Sequence, residues 1–241
     1  MKTNIAIIQF PGSNCEYETQ RAFAAYGFKA DIIRWNCDIK DFNQYSGYVL
    51  PGGFSYQDRI RAGVISAKLP IVHHLVQAAK TGKPLLGICN GCQILAETGL
   101  IPDLENNQTI SVALAPNTKN NQPVGFICDW VYVKIKNPEK SIFTKHFTTE
   151  DILPIQINHA EGNFILDKNT KEKLKNLTTF QYCDSNGELG NYPITPNGST
   201  DGLAGICNKK GNVMAIMPHP ERATFLKQTA PLPLVLQYFQ H

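Results

Sequence analysis

Residues 83–95, reading Lys-Pro-Leu-Leu-Gly-Ile-Cys-Asn-Gly-Cys-Gln-Ile-Leu, constrain this chain more than any other stretch. Pro84 opens an apolar run too short to be a helix, and Gly87-x-Cys89-x-Gly91 follows at its end. That spacing is the pattern of a nucleophile elbow, a sharp strand-to-helix turn, with cysteine where hydrolases carry serine. Such a turn strains the backbone at its apex, and a side chain at either flanking glycine would collide with it. A helix starting near Asn90 aims free N–H groups at the sulfur, which favours thiolate over thiol. The competing reading is an inert buried cysteine, the usual fate of the residue type. The paired glycines weigh against it.

The surrounding pattern places the elbow in a sheet. An apolar run over residues 4–10 reads as a strand, broken by Pro11-Gly12-Ser13-Asn14. A helix follows to about Tyr26, with Ser13 or Asn14 as its N-cap and Gly27 as its stop. Strands are expected at 30–35 and 48–50, the second ending at Pro51-Gly52-Gly53, and a helix over roughly 63–81 leads back to the elbow. Strand and helix alternating with short turns predict an α/β fold: one doubly wound, mostly parallel sheet flanked by helices. Ligands in such sheets sit at the C-terminal strand ends, where Gly12, Gly52-Gly53 and Cys89 fall. The second half reads differently, as hairpin-rich. A strand at 124–135 pairs with one at 152–157, a short helix lies near 169–176, and runs at 203–207 and 213–217 flank a turn. Residues 106–122 and 185–201 read as loops, and residues 232–239 as a closing amphipathic helix. No linker is evident, so one domain over residues 1–241 is expected.

Composition excludes several classes. A net charge of +3 without a basic stripe gives nucleic acid no footing. No apolar run approaches the roughly 20 residues of a membrane span. Met1-Lys2-Thr3-Asn4 runs straight into a strand, without a signal peptide, and seven scattered cysteines do not make a disulfide framework. A cytoplasmic protein with reduced thiols is expected.

A cysteine nucleophile needs a proton-transfer partner and a group to orient it. Of six histidines, His73 and His74 sit in a helical pattern, His146 in a polar stretch and His241 at the end. His159 and His219 remain. His219 follows a strand-like run between Pro218 and Pro220, and Glu221 is two residues on. In an extended segment residues i and i+2 share a side, so Glu221 can hold the far ring nitrogen of His219, as the acid of a triad does. The Asn90 N–H and a second N–H from Gly52-Gly53 complete an oxyanion hole.

These residues, with Pro11-Gly12-Ser13-Asn14-Cys15, Pro51-Gly52-Gly53-Phe54-Ser55-Tyr56, Gly91-x-Gln93-Ile94-Leu95, His159-Ala160-Glu161-Gly162-Asn163-Phe164 and Met217-Pro218-His219-Pro220-Glu221-Arg222, carry a resemblance to the class I (triad) glutamine amidotransferases, flavodoxin-like in fold. Within that class the chain resembles the glutaminase subunits of a purine-biosynthetic synthetase. The resemblance implies that Cys89 attacks the side-chain amide of L-glutamine to form a thioester. It implies that His219 moves the protons, Glu221 orients His219, Gly53 and Asn90 hold the oxyanion, and Gln93 contacts bound glutamine. It implies no cofactor or metal in this chain. Ammonia would pass to a large synthetase subunit, joined by a small bridging subunit, that uses ATP and Mg to amidate formylglycinamide ribonucleotide. Gln57, Cys92 and Ala160 stand where this family usually has glycine, phenylalanine and glycine. His159 and Glu161 fall outside the triad, near a partner interface or the rim of the site.

Two other readings stay open on the residues. Cys89-Asn90-Gly91-Cys92 at a helix start is also a thioredoxin-like redox motif, although that leaves Pro-His-Pro-Glu without a role. A flavodoxin-like binding module with a vestigial elbow is the non-enzymatic alternative. A zinc site lacks a second pair of ligands.

Overall fold

Short β-branched runs and amphipathic stretches set the winding of the chain, and the computed structural model describes residues 4–224. Strand β1 (Asn4–Gln9), helix α1 (Glu16–Ala25), β2 (Lys29–Arg34), β3 (Gly47–Leu50), α2 (Pro70–Lys80), β4 (Leu85–Ile88) and α3 (Asn90–Glu97) alternate as expected. Three short strands come next: β5 (Ala113–Ala115), β6 (Thr118–Lys119) and β7 (Gln122–Pro123). Then come β8 (Ile127–Ile135), β9 (Ile152–His159), β10 (Asn163–Ile165), α4 (Lys168–Leu174), β11 (Thr178–Cys183), β12 (Leu203–Cys207), β13 (Val213–Ile216) and α5 (Pro220–Ala223).

One nine-stranded sheet organises these elements in the order β2-β1-β3-β4-β13-β12-β11-β8-β9. The pairs from β2 to β13 are parallel. From β13 to β9 they are antiparallel, which makes the hairpin-rich second half an extension of the same sheet. The elbow strand β4 is central and wholly buried, and it lies between β3 and β13. A strand buried on both faces has no polar side, which is why Leu-Leu-Gly-Ile shows no alternation. Helix α1 packs on β1 and β2, and α3 on β3, β4 and β13. The core runs from Ile5, Ile7 and Phe23 to Phe164, Phe180 and Tyr182.

The structure corrects several expectations. Helix α2 starts at Pro70 rather than near residue 63, because the residue before a proline is barred from the helical region. Leu69 is accordingly extended (φ −76°, ψ 147°). Neither Ser13 nor Asn14 caps α1. Cys15 is its N-cap, without a side-chain cap bond, and the Ser13 hydroxyl turns back to accept the Phe10 N–H at 3.1 Å. The stretch 106–122 holds β5, which pairs with β10 in a separate small sheet, and the β6–β7 hairpin. Strand β11, which the sequence reading did not resolve, bridges β12 and β8. The expected helix at 232–239 and His241 lie outside the described residues. Among the described residues no helix is long and apolar enough to cross a membrane.

Candidate active site

Three strand ends converge at one edge of the sheet. Register pairs Leu50 with Gly87 and Ile88 with Ile216, so the segments leaving β3, β4 and β13 emerge side by side. Those segments carry Gly52-Gly53, Cys89 and His219. The Cys89 N–H donates to the Ile216 carbonyl at 2.8 Å, which anchors the elbow to β13.

Cys89 has φ +50° and ψ −104°, a conformation L-residues rarely adopt. It costs about 1–3 kcal/mol and persists only where neighbours enforce it. The two elbow glycines do so by closeness. A β-carbon on Gly87 would stand 2.6 Å from the Gly91 carbonyl oxygen and 2.6 Å from Leu95 Cδ1. One on Gly91 would run into the Leu50 carbonyl. Helix α3 therefore packs directly on β3 and β4, with Cys89 at its N-cap.

His219 and Glu221 meet, by a different route from the one expected. His219 is the N-cap of α5 rather than part of an extended strand, and Glu221 lies in the first turn of that helix. The carboxylate Oε1 accepts from Nδ1 at 2.6 Å, with both residues essentially without solvent exposure. This bond leaves Nε2 as the ring nitrogen without a hydrogen bond among the described residues. Burial alone would lower the proton affinity of His219, but Glu221, and then Cys89 and Cys15, outweigh it and hold the imidazole well above its ordinary range. The His219 N–H donates to the Gln156 carbonyl at 2.8 Å, tying the segment after β13 to β9.

Gly52 lies among the three chemical groups. A β-carbon there would be 2.7 Å from His219 Cε1, 3.0 Å from Cys15 Sγ and 3.4 Å from Cys89 Cβ. Gly53, next along, has φ +138° and is bridged to Ser13. A β-carbon on Gly53 would press 2.7 Å from the Asn14 nitrogen, so only glycine brings this backbone beside the elbow.

The Asn90 side chain is a hub that the sequence reading missed. Its Oδ1 accepts the Ser55 N–H at 3.2 Å, and its Nδ2 donates to Gln93 Oε1 at 2.9 Å and Asp58 Oδ1 at 3.3 Å. Gln93 is buried, and its Nε2 donates to the Glu161 carbonyl at 2.7 Å, so both ends of its amide are engaged within the chain. Burial, and then Glu161, push the Asp58 carboxyl up to about 6. Tyr56, Gln57 and Asp58 all have positive φ, 54°, 59° and 51°. Gln57 thus stands in a left-handed position that glycine fills at least cost.

His159 is not at the rim. It is buried at the end of β9, with Nδ1 3.2 Å from Asn117 Oδ1, and burial followed by His219 pushes it down to about 3. Nδ1–H must be the donor, because an amide oxygen only accepts. Glu161 is half-buried, and its Oε2 accepts the Ala62 N–H at 3.3 Å. Cys92 is enclosed in the core, where burial and then Cys89 hold its thiol well above the ordinary range.

Cys15, Glu18, His219 and Glu221 place ligand atoms within 4.8 Å of one another. Arg222 brings a positive charge to both Cys15 and Glu18, donating to Glu18 Oε1 at 2.9 and 3.0 Å and reaching Cys15 Sγ at 3.6 Å. With Nδ1 of His219 bonded to Glu221 and Arg222 bonded to Glu18, these side chains form an ion-paired network.

Comparison with known proteins identifies the family. Residues 2–234 match the CobB/CobQ-like glutamine amidotransferase domain. The chain is 44% identical to phosphoribosylformylglycinamidine synthase subunit PurQ of Methanothrix thermoacetophila, over 93% of this chain and 88% of that one. It is 38% identical to the Aquifex aeolicus protein of the same name, over 91% and 90%. Among solved structures it resembles a chain of PurLQS from Thermotoga maritima, with a TM-score of 0.79, 30% identity, and coverage of 100% of this chain and 98% of that one. Elbow, fold and relatives together establish that this chain belongs to the glutamine amidotransferases, and among them to the PurQ family.

Proposed function

We propose that this chain is the glutaminase of a phosphoribosylformylglycinamidine synthase, releasing ammonia from L-glutamine through a thioester on Cys89. One observation carries the reading: a cysteine on a strained elbow stands beside a buried His219–Glu221 pair whose bond is 2.6 Å. The Cys89 thiolate, its proton held by His219, attacks the carboxamide carbon. The N–H groups of Gly53 and Asn90 receive the oxyanion. His219 gives its proton to the departing nitrogen, leaving ammonia and a γ-glutamyl thioester. It then takes a proton from water, whose oxygen attacks the thioester and frees glutamate. Glu221 keeps Nδ1 protonated, so Nε2 is the nitrogen that works. Gln93 reaches bound glutamine by exchanging its bond to the Glu161 carbonyl.

The ammonia goes to a synthetase subunit. The similar Thermotoga maritima chain comes from an assembly named PurLQS, which supports a large synthetase subunit, PurL, and a small bridging subunit, PurS, as partners. The chain carries no Gly-x4-Gly-Lys-Ser/Thr loop, so ATP and Mg belong to the partner, which converts formylglycinamide ribonucleotide to formylglycinamidine ribonucleotide. The reading is tested by ammonia release from glutamine in the reconstituted complex. Cys89→Ala abolishes it, and Cys92→Ala largely keeps it. Equal loss from both would favour the redox motif, and no release by the wild-type complex would favour a binding module.

A further inference from the structure

The proposed hydrolysis gives Cys15 no task, yet its sulfur lies in the site. Cys15 Sγ and Cys89 Cβ border the same point beside Gly52, at 3.0 and 3.4 Å, and His219 Cε1 borders it at 2.7 Å. Cys15 is almost wholly buried and donates to Asn14 Oδ1 at 3.1 Å. Two cationic groups attend it, His219 and, at 3.6 Å, Arg222. Cys92, the other thiol near Cys89, sits in the apolar core, where burial disfavours its thiolate. Nε2 of His219, buried and without a hydrogen bond among the described residues, becomes the base of the site once it has given up its proton.

We propose that Cys15 is the resolving thiol for Cys89, closing an oxidised Cys89 into a reversible disulfide that silences the enzyme. The oxidant is a hydroperoxide such as hydrogen peroxide. The Cys89 thiolate attacks one peroxide oxygen, the O–O bond breaks, and the sulfur becomes a sulfenic acid. The departing hydroxide takes the proton from His219 and leaves as water. Neutral His219 then removes the Cys15 thiol proton. The Cys15 sulfur attacks the Cys89 sulfur, the S–S bond forms, the S–O bond breaks, and hydroxide leaves as water with the proton from His219. Two thiols and one peroxide give one disulfide and two waters. Burial holds the Cys15 thiol up at about 11, against the lowering effect of His219, so Cys15 stays protonated until that histidine is free.

The inference rests on Cys89 being the reactive thiol. The test treats the reconstituted complex with hydrogen peroxide and then dithiothreitol, with glutaminase activity read relative to each variant's untreated value. Peptide mapping without reduction follows the sulfurs. The wild type and Cys92→Ser should lose activity, show a Cys15–Cys89 link and recover with dithiothreitol. Cys15→Ser should carry Cys89 on to the sulfinic acid and recover about tenfold less activity. A Cys89–Cys92 link in the wild type, or full recovery by Cys15→Ser, overturns the proposal. Activity and Cys89 both untouched by peroxide would instead overturn the reactivity assigned to Cys89. The wild-type map decides the question even if Cys15→Ser fails to fold.

Discussion

Replacing Gly52 with alanine adds one methyl group at the point where Cys89, His219 and Cys15 meet. The new carbon would stand 2.7 Å from His219 Cε1, against an ordinary contact of 3.4 Å or more, so the imidazole must retreat by about 0.7 Å. It has no room to do so freely. The ring is buried and tied to Glu221 by a 2.6 Å bond, and its backbone is fixed to Gln156 at 2.8 Å. Gly52 is not in the left-handed region, so the substitution tests contact rather than backbone strain. A misplacement approaching 1 Å costs a reaction on the order of 10²-fold. Overpacking costs about 1–3 kcal/mol of stability, or a few degrees in Tm for each kcal/mol in a chain of this size. Steady-state glutaminase assays on the complex should therefore show kcat down by about two decades, while circular dichroism shows a folded protein melting several degrees lower. A variant with wild-type kcat and unchanged Tm would refute the placement of His219 against Gly52.

Glu221→Gln should keep the fold and cut kcat by about 10³–10⁴-fold, because an amide can donate to Nδ1 and fix the wrong tautomer. A rate within a few-fold of wild type removes Glu221 from the mechanism. Asp58→Asn tests the half-buried carboxyl facing Glu161. Its proton affinity is raised from 3.8 to about 6, so the folded state holds that proton more tightly than the unfolded state does. Wild-type stability is therefore lost between about pH 4 and pH 6 as pH rises, and the variant, which keeps an acceptor for Asn90, is spared. Its Tm should exceed wild type at pH 7.5 and converge with it at pH 4; an equal gap at both would refute the shift. Gly91→Ala drives a methyl into the Leu50 carbonyl, on a strand that cannot yield. Its melting should show a loss at or above the upper end of about 1–3 kcal/mol, and a neutral result would contradict the packing of the elbow.

Much of the site was legible in the sequence because chemistry at a strand end needs particular neighbours. The glycines around Cys89 and the Pro-His-Pro-Glu run are local signals, and they pointed to groups that the sheet brings together. The route from His219 to Glu221 is helical rather than extended, since Pro220 starts a helix at N1, where its missing N–H costs nothing. The motifs include Cys15 and Asn90, but what these side chains touch depends on packing between elements distant in the chain. Asn117 had no local signature at all, although it accepts from Gly162 and donates to the His159 carbonyl. Strand β11 carried a readable signal in Thr-Thr-Phe-Gln-Tyr-Cys, rich in β-branched and aromatic residues.

The central claim is a covalent glutamyl intermediate on the elbow cysteine. Rapid acid quench of the complex turning over glutamine, followed by peptide mapping, tests it most directly. The account predicts a γ-glutamyl group on the peptide containing Cys89, absent when His219 or the substrate is removed. A γ-glutamyl group on Cys15 or Cys92, or turnover with Cys89 unmodified at every quench time, would contradict it.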